Sequence, residues 1–178
     1  GVLAVGGDHI SNDLAYGLKT SMGRAESLKL EHGSALVEPG DKGRAISIGS
    51  DVGLPERPIN VEHLHRIMSL RIEEMFQIVA DDIESAGLID YLRAGVHLCG
   101  GCARIPNVAR LAERVFGLPV FIGRTKSISG LVATLDQPEF ATGIGLVKFG
   151  SFRAESRAAR GGWPSRLKSK LNRILQSA

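Results

Sequence analysis

The sequence predicts an α/β fold. Three observations carry that prediction: short apolar runs of strand length alternate with segments of helical spacing, one strand runs into a Gly-Gly turn followed by a helix, and helix caps and stops fall where the alternation needs them.

Taken in order, Val2-Leu3-Ala4-Val5 reads as a buried strand, and Gly6-Gly7 with Ser11 and Asn12 supplies a turn and a cap for a helix over 13–18. A second helix is expected over 24–31, stopped by Gly33 because glycine accepts the left-handed conformation. Ala35-Leu36-Val37 and Arg44-Ala45-Ile46-Ser47-Ile48 flank a Pro-Gly turn and read as a hairpin, closed by Pro55 and Pro58. From a cap at Asn60, Val61, Leu64, Ile67, Met68, Ile72, Met75, Ile78, Val79 and Ile83 recur at helical spacing until Gly87, so one face of this longest helix belongs to the core. Val96-His97-Leu98-Cys99 is the next strand, followed by Gly100-Gly101-Cys102-Ala103-Arg104-Ile105 and a helix opened by Pro106, whose missing amide hydrogen is tolerated there. A strand over 118–122 and a helix over 138–149 complete the body, with Gly143 and Gly145 allowing close packing.

Composition narrows the class. At 178 residues, 43% hydrophobic and 23% charged, the chain can bury a core, and it contains no run of about 20 apolar residues that would span a bilayer. It opens on a strand without an initiator Met or a signal peptide, so a larger N-terminal portion is expected upstream. Two cysteines are too few for a disulfide scaffold and agree with a reducing cytosol. The net charge of +3 is unevenly spread: seven cations against Glu155 alone leave residues 151–178 at +6 and the rest at −3. A basic tail on a mildly acidic body calls for an anionic partner, lipid or nucleic acid.

Among the internal residues, Gly100-Gly101 lets backbone approach a ligand at the start of a helix, although such turns are also plain connections. Glu26 and Lys29, three apart on one helix face, could bracket a ribose or phosphate; by spacing alone a solvated ion pair is the simpler reading. Cys99 and Cys102 form a Cys-x-x-Cys without a second pair or matching histidine spacing, so no metal site is expected and Cys99 reads as a small buried hydrophobe. His63 and His65 lie about 200° apart on their helix and cannot share an ion. No catalytic residue is identified.

The tail gives a sharper signal. On a helix from Trp163 onwards, Trp163, Ile174, Leu167, Leu171 and Leu175 fall at about 0°, 20°, 40°, 80° and 120°, one apolar stripe. Arg166, Lys170 and Arg173 flank it at about 300°, 340° and 280°, and Lys168 at about 140°. Cations in those places lay their stems along the stripe and lift their charges to lipid head groups, each contributing about 1 kcal/mol at an anionic surface. A helix docked on its own domain would also carry a stripe. The basic linker over 151–162, the absence of acids and the leading Trp favour the membrane interface, and so large an apolar area has no place on a nucleic-acid backbone.

Several of these segments resemble the FtsA family of bacterial actin-like division proteins. Gly6-Gly7-Asp8-His9-Ile10-Ser11-Asn12-Asp13-Leu14-Ala15 resembles the segment after the family's second phosphate loop, and Ala25-Glu26-Ser27-Leu28-Lys29 its Ala-Glu-x-x-Lys helix. The run from Val96 to Pro106 resembles its adenosine-motif strand and turn, with Cys99 and Cys102 where Thr and a third Gly are common, and Pro138-Glu139-Phe140-Ala141-Thr142-Gly143 its returning helix. The terminus resembles its membrane-targeting helix.

The resemblance implies the C-terminal half of an actin-like ATPase (ribonuclease-H-like) fold plus a C-terminal amphipathic helix. Residues 1–150 would hold subdomains IIA and IIB and the returning helix, 151–162 a flexible basic linker, and 163–178 the membrane helix. ATP, with Mg in the intact protein, would lie against Glu26, Lys29, Gly100, Gly101 and Ala103. The hairpin and long helix would receive the C-terminal peptide of FtsZ, and the protein would self-associate into actin-like filaments at the cytoplasmic face of the membrane at the division septum. Hydrolysis would be slow or absent, and the part represented here would not catalyse it alone. The alternative is another actin-superfamily member: a shape-determining or pilus-assembly homologue, or a sugar-kinase-like ATPase.

Overall fold

A computed structural model describes residues 1–47, 58–123 and 136–156. The chain divides into two compact units, Gly1–Glu139 and Phe140–Ala178. The membrane-binding residues expected from Trp163 to Leu175 lie outside the described residues.

In the first unit, helix α1 (Gly7–Gly17) starts well before the expected 13–18, and Ser11 lies buried inside it instead of capping it. His9 Nδ1 accepts from the Gly6 amide at the helix start, 3.2 Å away. Residues 2–5 form no strand, and Val2 is fully exposed. A strand exists only against a partner, and β-forming sequence alone does not supply one. Helix α2 (Met22–His32) extends the expected 24–31 by one or two residues at each end and is capped by the Ser21 hydroxyl. Gly33 does follow it, but at φ −73°, not in the left-handed region. Glycine is required there for space: a Cβ would sit 2.3 Å from the Lys29 carbonyl oxygen and 2.6 Å from Met68 Cε.

The expected hairpin pairs differently. Strand β1 (Ala45–Ser47) runs antiparallel to β2 (Pro58–Asn60), with Ile46 opposite Ile59. Residues 35–37 are not a strand; the Ala35 amide donates to the Pro106 carbonyl, and Pro39–Asp41 is a single 3-10 turn. Pro58, expected to close the strand region, is part of β2, at its first residue, where the missing donor is tolerated.

Helix α3 (Val61–Ser85) follows directly, with the Asn60 side chain accepting from the His63 amide and Gly87 at φ +66° just beyond its end. Leu64, Met68 and Ile72, four residues apart, are buried against Ile10 and Leu14 of α1 and Leu28 of α2. Each contributes about 1.5–3 kcal/mol of burial. Towards the far end the periodic positions Ile78 and Val79 are exposed, beside Val2 and Leu3. His65 is buried, its Nδ1 2.7 Å from Asp41 and its Nε2 2.8 Å from the His32 carbonyl, so it fastens α3 to the 3-10 turn and to the end of α2.

Strand β3 (Val96–Leu98), helix α4 (Val108–Phe116) and strand β4 (Val120–Ile122) make a unit in which the strands pair in parallel, Val96 beside Val120. The crossover helix buries Val108, Leu111, Ala112 and Phe116, with Phe116 tilted against Phe76 of α3 at 5.7 Å. Helix α4 begins two residues after Pro106, because Asn107 takes a left-handed conformation as its cap.

In the second unit, helix α5 covers 141–156, continuing six residues into the segment expected as linker. The Arg153 guanidinium lies over the Phe149 ring at 5.2 Å, which extends the helical face beyond 150. Among the described residues, nothing lies within 4 Å of a Cβ built on Gly143 or Gly145, so the close packing expected of them has no neighbour there.

Candidate functional site

The site grows from the meeting of α1, α2 and the turn after β3. Lys29 is only 8% exposed, so it is not one half of a solvated pair. Its ammonium has three donors and three acceptors: the Gly7 carbonyl at 3.1 Å, Ser11 Oγ at 2.9 Å and Glu26 Oε2 at 2.7 Å. With each donor matched, Lys29 acts on its surroundings by tying the first turn of α1 to α2. Ser11 Oγ also hydrogen-bonds to Glu26 Oε2, leaving the other carboxylate oxygen of Glu26 without a bond among the described residues. The Lys29 hydrogen bond, helped by Ser11 and only partly opposed by burial, holds the Glu26 carboxyl below its usual range.

Gly7 makes this approach possible. A Cβ there would lie 3.0 Å from Cys102 Sγ and 3.4 Å from Lys29 Nζ, so α1, α2 and the turn converge on a residue without a side chain. Burial pushes the Cys102 thiol up, with Lys29 pulling the other way, so it sits in the wall as a neutral group. Cys99, expected to be buried, is exposed at the end of β3, because the outward side of this strand has no cover among the described residues. No group of three His, Cys, Asp or Glu side chains among the described residues is placed to hold a metal ion.

The turn itself has a special backbone. Gly100 adopts φ +94°, a conformation that favours glycine, and its amide donates to the Pro138 carbonyl at 2.8 Å. That bond brings Glu139 alongside Arg104, whose Nη1 donates to Glu139 Oε1 at 2.7 Å. A cavity of about 680 Å³ lies between α2 and this turn, in the size range of small-molecule sites. Glu26, Lys29 and Leu30 form one wall; Gly101, Arg104 and Glu139 belong to the other. Nothing lies within 4 Å of a Cβ position on Gly101, which leaves open space above its backbone.

Of the five internal residues singled out from the sequence, Glu26, Lys29 and Gly101 therefore line one cavity. Gly100 shapes the turn, and Ala103, 6% exposed, packs beneath it and donates to the Gly100 carbonyl. Ser11, Arg104 and Glu139 were not expected here. Spacing gives no hint of Ser11, which belongs to another helix, and the only available signal for Glu139 was its position just after Pro138.

The family model described as "Cell division protein FtsA" matches residues 1–145. Among curated relatives with that name, the Pseudomonas aeruginosa protein is 31% identical over 84% of this chain and 36% of its own length. The Rhizobium meliloti protein is 35% identical over 82% and 34%, and that of Escherichia coli K12 is 30% identical over 97% and 45%. The chain thus spans between about a third and just under half of these relatives. Among solved structures, MreB5 of Spiroplasma citri bound to ADP superposes with a TM-score of 0.56 at 26% identity, covering 68% of this chain and 40% of that one. The same protein bound to AMPPNP gives 0.63 at 22% identity, covering 88% and 47%, a likeness of fold alone. The fold is accordingly actin-like.

Proposed function

This chain belongs to the FtsA family of cell division proteins, and on that premise we propose that it is the part of a nucleotide-dependent anchor that holds the FtsZ ring to the membrane. The observation that carries the nucleotide reading is the cavity lined by Glu26, Lys29 and Gly101, where Lys29 and Ser11 occupy one carboxylate oxygen of Glu26 and open space lies beside the Gly101 backbone. These residues suit a nucleoside. The uncommitted oxygen of Glu26 can accept from ribose hydroxyls, Gly101 leaves room for the sugar or base, and Lys29 holds Glu26 in place.

ATP with Mg, when bound in the intact protein, would supply the charge that draws the two halves of the fold together. Binding, rather than turnover, is the task of these residues. The nucleotides in the two Spiroplasma structures support this reading by analogy.

The β1–β2 pair and α3 receive the C-terminal peptide of FtsZ, and copies of the protein associate as actin-like filaments. Trp163, Leu167, Leu171, Ile174 and Leu175 enter the anionic cytoplasmic leaflet at the septum, with Arg166, Lys168, Lys170 and Arg173 at the head groups. Among the described residues no helix is long and apolar enough to cross a membrane, and this mode of attachment requires none.

Flotation of residues 151–178 with anionic vesicles tests the anchor. The wild-type segment rises with the vesicles and Leu171→Glu stays behind; equal recovery of the two contradicts the proposal. Capture by an FtsZ tail peptide separates this reading from a shape-determining or pilus-assembly role, both of which predict no capture.

A further inference from the structure

His65 is buried on α3, and both of its ring nitrogens face an oxygen. Nδ1 lies 2.7 Å from Asp41 Oδ2, and Nε2 lies 2.8 Å from the His32 carbonyl oxygen at the end of α2. A neutral imidazole has one N–H, so it would set a lone pair against one of the two oxygens; an imidazolium donates to both. A proton on Asp41 could also satisfy Nδ1. That carboxyl, however, accepts from the Glu38 amide at 2.8 Å on the same oxygen and has Arg44 Nη1 3.6 Å from the other. Burial works against its ionisation, yet the Glu38 amide, His65 and Arg44 together hold it below its ordinary range. The remaining surroundings favour the same assignment. Arg44 opposes a second cation but is 62% exposed and screened by water. On α2 the His32 ring lies 3.9 Å from Glu31, and only the carbonyl faces His65. On α3 itself Glu62 stands three residues before His65.

We propose that His65 is a proton-held latch: at neutral pH its imidazolium joins the Asp41 carboxylate to the last carbonyl of α2, and loss of one proton as pH rises releases the end of α2. The last carbonyls of a helix have no partner within it and carry the negative end of its dipole, so a cation is the fitting group there. When the ring becomes neutral, its remaining hydrogen stays with the carboxylate, the stronger acceptor, and Nε2 then opposes the His32 carbonyl with a lone pair. Linkage gives the sign. A proton held by the folded chain and released by the unfolded one stabilises fully below about pH 6.5, the ordinary histidine value, and this contribution is lost as pH rises. Because α2 also carries Glu26 and Lys29, the proton on His65 sets how firmly that wall of the cavity is anchored to α3 and to the 3-10 turn leading to β1.

Nuclear magnetic resonance of the intact protein, with its histidine nitrogens labelled, tests this. At about pH 7 the His65 ring should give two N–H correlations, one from each nitrogen. At about pH 9.5 the Nε2–H correlation should be gone and the resonance of the Gly33 amide, which shares a peptide group with the His32 carbonyl, should shift. The His32 amide in the last turn of α2 should lose about tenfold of its protection from exchange, the lower end for a lost hydrogen bond to a charged group. In Asp41→Asn the carboxamide can donate to Nδ1, so a neutral ring fits both neighbours. That variant should show the Nε2–H correlation alone at about pH 7 and no change at Gly33 or His32 up to about pH 9.5. A single N–H correlation from wild-type His65 at about pH 7 overturns the proposal. Loss of the Nε2 hydrogen with Gly33 and His32 unaltered overturns it as well. Both deciding results come from wild type, so they stand even if the variant fails to fold.

Discussion

Replacing Lys29 with methionine keeps the length and much of the apolar stem but removes the charge that joins α1 to α2. Breaking a buried ion pair by deleting one partner costs about 3–5 kcal/mol. Here the figure must be reduced, because the Glu26 side chain is 41% exposed and its carboxylate can turn to water. Ser11, which is fully buried, keeps a partner in either Gly7 or Glu26. A net loss of about 2 kcal/mol remains, or a fall in melting temperature of about 4–8 °C for a chain of this size. Urea and thermal unfolding followed by circular dichroism measure it. Glu26→Gln alone should cost about 1 kcal/mol, and the double variant should fall short of the sum by about 1 kcal/mol because the two changes break one cluster. A Lys29→Met chain that melts within 1 °C of wild type, or strictly additive variants, would refute the claim that this ammonium holds the two helices together.

Two further outcomes follow from the same region. Gly33→Ala should destabilise by about 2–4 kcal/mol in urea unfolding, since its Cβ meets the backbone oxygen of Lys29, which cannot yield as a side chain can. Lowering the pH should weaken the fold through Glu26 and Asp41. Burial opposes ionisation of Asp41, but the Glu38 amide, His65 and Arg44 outweigh it, and both carboxyls sit below their ordinary values of 4.5 and 3.8. Their stabilisation is thus complete above those values and is lost as pH falls through the lower folded ones. The urea midpoint should hold from pH 7 to about 5 and decline below about 4, and Asp41→Asn should flatten the decline.

What could be read in the sequence depended on how local the cause was. Helix α3 was legible from its cap to its stop, because Asn60, the spacing of Leu64, Met68 and Ile72, and Gly87 lie within one continuous segment. The unit from β3 to β4 was legible for the same reason, with Gly100 at the turn. Strand pairing was not: β1 meets β2 across ten intervening residues, and nothing in Ala35-Leu36-Val37 told that its first amide would bond to Pro106. Gly33 was identified as the stop after α2, yet for a dihedral angle when the reason is the closeness of Met68. At the site, spacing put Glu26 and Lys29 on one face, but the burial of Lys29 comes from Ser11 and Gly7 on a different helix. Glu139 is a single acidic residue without any periodic signal, and only the fold gives it a place beside Arg104.

If a nucleotide lies on the glycine turn, Gly101 is the residue it must pass closest to. Its φ is not positive and a Cβ there meets nothing within 4 Å, so Gly101→Val should leave the melting temperature almost unchanged while filling the space the nucleotide needs. Isothermal titration of ATP and Mg into the intact protein should then show binding by wild type and at least about tenfold weaker binding by the variant. Equal affinity in the two proteins, with both fully folded, would contradict the account.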